Sequence, residues 1–287
     1  MVQEVIKSLF VGIQRRWKIG IGRALSVVGA ISLLTGIITR VSTAANLWIV
    51  DHGTWYLAAV AAAAIVWFIA YTYEKRSVSF AIPTTDSRID IRFGDLLTEQ
   101  SDLLIGVGEF FDHEIGHIVS RNSLHGKVIE QVFNGEAARF RLDVDRSIKH
   151  LPATKTERSV KPDLKYPIGT TAVVRNGQHQ IFLVAMALTD MATSKASSTV
   201  PLLWDALRGA LSTVKNYGNG ATLSLPLIGN GQSSVNIEPQ HLLRLIVLAL
   251  VDYGRRSGLP KQVNIIVPEA CFKLLDIREI ERDWSKR

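Results

Sequence analysis

The chain has 287 residues, of which 47% are apolar, a formal charge of +7 and a single cysteine, Cys271. That length accommodates one large domain or two modest ones, and a lone cysteine excludes an intrachain disulfide and points to a reducing compartment. The basic residues are dispersed without an aromatic-basic platform, which argues against nucleic acid as a partner; positive charge held beside apolar segments accounts for the balance.

The long apolar runs fall within residues 19–73. Ala24 to Thr39 is uncharged and is flanked by Arg23 and Arg40. It is slightly short of the roughly 20 residues that cross a hydrocarbon core, and the two arginines lengthen it by reaching toward the headgroups. Thr54 to Tyr73 is uncharged as well, with Trp55 and Tyr56 at one end and Trp67, Tyr71 and Tyr73 toward the other, as for interfacial anchors. The segment 1–76 is therefore predicted to carry two transmembrane helices, about 24–39 and 54–73. The alternative is a helical hairpin buried in a soluble core. Lys7, Arg15, Arg16, Lys18 and Arg23 precede the first span and Lys75 and Arg76 follow the second, whereas Val41 to Gly53 holds no lysine or arginine. A multi-pass protein of the cell inner membrane is expected, with both termini and the soluble domain in the cytoplasm. A cleaved signal peptide fits poorly, because a second apolar span follows. Gly22, Ser26 and Ala30, Ser32 with Gly36, and Ala58 with Ala62 recur at four-residue spacing. Such spacing suits close packing in lipid, either between the two helices or between chains.

Residues 77–287 read as one soluble domain. Strands are predicted at Val78–Ile82, Arg88–Phe93 and Leu103–Val107, then a helix at Leu124–Phe133 with Ser123 as N-cap. The charged stretch 143–165, with Pro152 and Pro162, is expected to be surface loop. Asn176-Gly177 between Thr170–Arg175 and His179–Leu188 signals a hairpin. Helices follow at Pro201–Tyr217 and Pro239–Arg256, strands at Ala221–Ile228 and Gln262–Val267, and a last helix in the tail from Ala270. This alternation predicts an α/β fold with a mixed or largely parallel sheet covered by helices.

Two motifs carry chemistry. Leu223 to Ile228 runs into Gly229-Asn230-Gly231, where glycines let the main chain approach phosphate oxygens and successive N–H groups form an anion nest. His113-Glu114-Ile115-Gly116-His117 matches H-E-x-x-H. On a helix it would present two imidazoles one turn apart to zinc, with Glu114 activating water and Glu136 among the candidates for a third ligand. Asp112 and Gly116 make that stretch a poor helix, and a membrane-bound zinc metallopeptidase leaves the Gly229–Gly231 loop unexplained.

Gly94-Asp95-Leu96-Leu97 followed by Ser101-Asp102-Leu103-Leu104, then Tyr166-Pro167-Ile168-Gly169, then Pro226-Leu227-Ile228-Gly229-Asn230-Gly231 resemble the macrodomain family in content and order over residues 88–267. The resemblance implies a macrodomain-like mixed sheet and an ADP-ribose derivative as ligand. Asp95, with Leu96 beside it, would bind the adenine amino group, Gly229, Asn230, Gly231, Gln232 and Ser233 would enclose the diphosphate, and Gly108 would wall the distal ribose. Hydrolytic members place asparagines and a glycine run after this strand. Here Gly108-Glu109-Phe110-Phe111-Asp112 and Ser120 to Gly126 stand instead, which speaks against removal of ADP-ribose from proteins.

These segments, and the two preceding spans, are similar to the divergent macrodomains of bacterial Thoeris anti-phage systems. That likeness implies a TIR-domain partner that makes a histidine–ADP-ribose signal, and an effector that assembles as a homo-oligomer and disrupts membrane lipid in abortive infection. It offers Phe111, Asp112, Ser123, His125 and Gly126 for the distal end of the ligand, local capping and turn-making being the alternative at each. No catalytic residue, metal or cofactor is expected.

Overall fold

The computed structural model describes residues 2–116, 118–158, 160–191, 193, 195–231 and 235–285. It divides into two compact units, Met1–Arg76 and Ser77–Arg287.

The first unit holds α1 (Val2–Val41), α2 (Thr43–Asp51) and α3 (Gly53–Thr72). The span predicted at 24–39 is only the second half of α1. The basic stretch before it contains no proline and continues the helix to 40 residues, about 60 Å long against a hydrocarbon core of about 30 Å. The connection after it is also helical, with the Ser42 side chain accepting a hydrogen bond from the Ala45 N–H to cap α2. α1 and α3 run antiparallel: the Tyr56 hydroxyl donates to Thr35 Oγ1 at 2.9 Å, and at the other end Gly20 lies against Phe68 and Thr72. Gly12 meets the Thr72 carbonyl so closely that a side chain there would collide with main chain. Gly22, Gly29 and Gly36, in contrast, face open space. The glycines that seat the two helices are thus Gly12 and Gly20, and the Gly22–Ser26–Ala30 stripe lies on the outside. Beyond the spans, Glu74 is buried between Arg15 at 3.3 Å and Arg16 at 3.8 Å. α1 and α3 are long and apolar enough to cross a membrane. Their large apolar side chains, among them Leu25, Leu33, Leu34, Trp55, Leu57 and Val66, are exposed, an arrangement suited to lipid and not to the interior of a soluble hairpin.

The second unit is built on one sheet. Its strands are β1 (Ser77–Ala81), β2 (Arg88–Phe93), β3 (Asp102–Gly108), β6 (Thr171–Asn176), β7 (His179–Thr189), β9 (Thr222–Pro226) and β10 (Gln262–Val267), in the order β1-β2-β10-β9-β3-β7-β6, with the short β8 (Ala196–Ser197) beside β7. The five central strands are parallel, and β1 and β6 pair antiparallel at the edges. β4 (Thr154–Lys155) and β5 (Leu164–Lys165) form a separate two-stranded hairpin. The central strands are short apolar runs because both of their faces are covered. On one face, α6 (Val200–Tyr217) and α7 (Pro239–Ser257) bring Leu203, Leu207, Leu211, Leu242, Ile246 and Leu250 onto Leu104, Leu223 and Ile265. On the other, α4 (Leu124–Lys127) and α5 (Ala137–Ile148) enclose a second cluster, in which Phe140, Val144 and Ile148 pack on Leu103, Ile105 and Leu183. The last helix, α8 (Ile277–Ser285), stacks Trp284 on Phe80.

Two local expectations are corrected. The stretch read as loop from residue 143 begins inside α5, whose apolar residues Phe140, Val144 and Ile148 recur every fourth position among arginines and aspartates. The helix predicted over Leu124–Phe133 is a single α-turn followed by a wider turn, Val128–Val132, in which the Phe133 N–H reaches back to the Val128 carbonyl.

Candidate functional site

Because β2, β10, β9, β3 and β7 are parallel, the segments that follow them emerge at one edge of the sheet. The chain leaves β3 toward β7 and leaves β9 in the opposite direction, toward β10. Ligands of open α/β sheets bind at such a divergence. Here the divergence is widened. The β3–β9 ladder comprises only Asp102–Leu103 against Leu223–Ser224, so the two strands part before their C-terminal ends. Buried Asp102 holds the closed end, its carboxylate accepting from the N–H of Gln180 at 2.9 Å and of Asn219 at 3.1 Å.

One wall is the turn after β9. The Asn230 N–H donates to the Leu227 carbonyl and the Val235 N–H to the Gly229 carbonyl. Gly229 has φ +89°, and a Cβ on it would come within 2.9 Å of Val235, so this position requires glycine. The Asn230 amide donates to Cys271 Sγ at 3.3 Å, which ties the turn to the segment after β10. Burial pushes the Cys271 thiol above its ordinary value, against the Asn230 hydrogen bond. Above Gly231 there is open space. Gln232 and Ser233 lie outside the described residues. Asp95 stands two residues past β2, exposed, and caps the turn Leu96–Thr98 by accepting the Leu97 N–H on Oδ1 at 3.1 Å. Leu96 is buried beneath it.

The other wall follows β3. Gly108 ends the strand, and Phe111 adopts a left-handed conformation with φ +52°, its N–H donating to the Gly108 carbonyl. A bulky residue takes that conformation only where its surroundings impose it. They do so here: the Phe111 ring is fully buried edge-on to Tyr166 at 5.5 Å. Asp112 is held by Arg158, with Nη1 to Oδ1 at 2.7 Å and Nη2 to Oδ2 at 3.4 Å. The Arg158 guanidinium also donates to the Pro162 carbonyl and lies 4.3 Å from the centre of the Phe110 ring. Burial pushes the Asp112 carboxyl above its ordinary value even though Arg158 pulls the other way. Glu109 completes the anchorage, accepting the Thr189 N–H at 3.0 Å and pairing with Lys165 at 3.1 Å. The wall is therefore clamped from below by the segment around β4 and β5.

Ser123 caps α4 by accepting the Gly126 N–H, and a Cβ on Gly126 would lie 2.2 Å from the Ser120 carbonyl oxygen. His125 is buried beside Phe140, and burial brings its imidazole down to about 4. His113 is likewise lowered, by burial and then by Arg141.

The helix required by the zinc-peptidase motif is absent. Residues 112–116 are irregular, Gly116 has φ +104°, and Ile115 bridges back to Val119; His117 lies outside the described residues. Arg158, Glu109 and Lys165 escape sequence reasoning. Arg158 lies in the stretch read as loop, 46 residues from its partner, with no local pattern to reveal the pair.

Several solved structures share the fold. The Oceanobacillus iheyensis macrodomain with ADP superposes with a TM-score of 0.51 at 13% identity, over 74% of this chain and 98% of that one. The same macrodomain with MES bound gives 0.53 at 12%, over 74% and 98%, and a point mutant of it with ADPR gives 0.51 at 13%, over 73% and 100%. No curated protein matches the sequence. Residues 89–268 match the family model for the macro domain of the Thoeris protein ThsA. That match spans both walls of the divergence and most of the chain, and the protein belongs to the Thoeris ThsA macrodomain family.

Proposed function

We propose that residues 77–287 form a sensor for an ADP-ribose-derived signal in anti-phage defence. The observation that carries this reading is the parting of β3 and β9, with the glycine turn on one side and the Phe111 wall on the other. ADP and ADPR, as held by the structurally similar Oceanobacillus macrodomain, are the ligand class such a site suits. Asp95 selects the adenine, the loop from Gly229 to Ser233 encloses the diphosphate, and Gly108 and the residues after it line the distal ribose. Membership of the ThsA macrodomain family supports binding without turnover.

The signal in this reading is a histidine–ADP-ribose conjugate supplied by a TIR-domain partner. Its binding must differ between two states of the protein to transmit anything, and self-association through the membrane unit is the state it favours. The outward Gly22–Ser26–Ala30 stripe, unused between α1 and α3, supports that step. With the basic flanks on the cytoplasmic side, both termini and the soluble unit face the cytoplasm.

Liposomes carrying the full chain and a trapped dye test the proposal. Added histidine–ADP-ribose releases dye, and adenosine does not. Dye retention despite demonstrated binding of the conjugate would remove the membrane step.

A further inference from the structure

The half of α1 that precedes the first span carries an open row of large apolar side chains. Ile6, Phe10, Ile13 and Trp17 follow one another at steps of four, three and four residues and are 60%, 55%, 39% and 48% exposed. The other side of the same helix is occupied. Ser8, Val11 and Gly12 are buried there, the Glu74 N–H donates to the Ser8 carbonyl at 3.4 Å, and Arg76 pairs with Glu4 at 3.6 Å. At 3.6 residues per turn the two sets lie on opposite sides of α1. The row ends at Trp17, because Gly20, its next position, is turned against Phe68 and Thr72. Its exposed area is on the order of 400 Å² per chain, as large as the biggest apolar patch of a typical soluble monomer.

Lipid does not reach this row. Lys7, Arg15, Arg16 and Lys18 keep residues 7–18 out of hydrocarbon. Phe10 and Ile6 precede Lys18 by 8 and 12 residues, about 12 and 18 Å of helix, whereas a headgroup layer is about 5–8 Å deep. Nor is this half of α1 free to bend down onto the bilayer surface. The end of α3 holds α1 on both sides of the arginines: Thr72 lies against Gly12 and against Gly20, and Glu74 is buried between Arg15 and Arg16. A hinge between residues 12 and 20 would break those contacts.

A second copy of the chain fits where lipid does not. Identical flanking charges insert every copy with one orientation, so neighbouring α1 helices run parallel and in register. Steps of four and three residues are those of a parallel coiled coil, here with Phe10 and Trp17 in the a positions and Ile6 and Ile13 in the d positions. The flanking contacts between two copies are then Val2 with Lys7, Leu9 with Gln14 and Arg16 with Ile21. None sets like charges together.

We infer that Ile6, Phe10, Ile13 and Trp17 pair with their own counterparts on a second copy of this chain, in a short parallel coiled coil just outside the bilayer. This rests on the reading that the chain self-associates through its membrane unit. Two chains bring together about 800 Å² in all, less than the roughly 1,200–2,000 Å² of a stable interface. The seam therefore selects which faces meet and adds to a contact in the bilayer, and does not hold two copies together alone.

The test is oxidative cross-linking of the full chain in liposomes, with and without histidine–ADP-ribose. A Cys271→Ser background carries one of Phe10→Cys, Ile13→Cys or Lys18→Cys, all at exposed positions that leave the helix intact. Energy transfer between chains bearing donor and acceptor dyes on a C-terminal tag reports association through any surface. Phe10→Cys and Ile13→Cys form disulfide-linked dimers at least about fivefold faster than Lys18→Cys, since a and d residues meet their counterparts. Cross-linking in the first two variants no faster than in Lys18→Cys, with energy transfer retained, means that lipid or another part of the chain covers the row. That result overturns the inference and leaves self-association standing. Absence of energy transfer removes the parent reading and this one together.

Discussion

His125 makes the stability of the soluble unit depend on pH in a way that can be calculated. The imidazole is neutral in the folded protein down to about 4, whereas its ordinary value is 6.5. As pH falls, the unfolded chain takes up the proton first. The stabilisation is complete above pH 6.5 and is lost progressively as pH falls toward 4. The gap corresponds to about 3 kcal/mol in full, and to about 2 kcal/mol between roughly pH 7.5 and 5. His113, also lowered, acts in the same direction; Asp112, raised by burial, acts in the opposite one. The assay is urea unfolding of the full chain in detergent, followed by tryptophan fluorescence across this range, for the wild type and His125→Leu. Leucine changes the packing against Phe140, so the slope with pH is the readout and not the absolute stability. The wild type loses about 2 kcal/mol more than the variant over that interval. Parallel slopes would refute the assignment of a buried neutral imidazole.

Three further outcomes follow from the geometry. Arg158→Met strands the Asp112 carboxylate in a buried site and lowers stability by about 3 kcal/mol in urea unfolding, while Arg158→Met combined with Asp112→Leu recovers most of it; equal loss in the double variant would contradict the clamp. Gly231→Val meets no other atom among the described residues, so its unfolding midpoint stays within a degree or two of wild type, yet under the proposed reading, which places the diphosphate there, it weakens ADP-ribose binding at least about tenfold. In the membrane unit, Gly20→Leu drives a side chain into Phe68 and Thr72 and separates α1 from α3, whereas Gly22→Leu leaves that pair intact and reduces cross-linking between chains. Cysteine pairs engineered across α1 and α3, and chemical cross-linking between chains, read the two effects separately.

Elements whose signal is local were legible in the sequence. β2 runs Arg88–Phe93 as its alternation indicates, and the Asn176-Gly177 turn, with Gly177 at φ +61°, joins β6 to β7 where the dipeptide placed it. The two apolar helices were legible from length and charge, but the start of α1 was not, since a helix can leave the bilayer without any change in its backbone. α5 was hidden because arginines and aspartates separate Phe140, Val144 and Ile148, and the charge count outweighed the period. At the candidate site, the glycine turn could be read because Gly229 must adopt a conformation that few residues tolerate. The Arg158–Asp112 clamp could not, since it arises from segments brought together only by the fold. The H-E-x-x-H pattern shows the converse: its described residues, 113–116, are irregular, because Gly116 at φ +104° ends any helix there.

Calorimetric titration of the purified full chain with ADP-ribose, alongside Asp95→Ala and Gly231→Val, addresses the divergence between β3 and β9 directly. The expected result is one-to-one binding by the wild type, weakened at least tenfold in each variant, roughly the effect of losing one buried hydrogen bond or admitting one clash. Silence of the wild type toward ADP-ribose and its histidine conjugate, or undiminished affinity in both variants, would show that the ligand of this protein is held somewhere else.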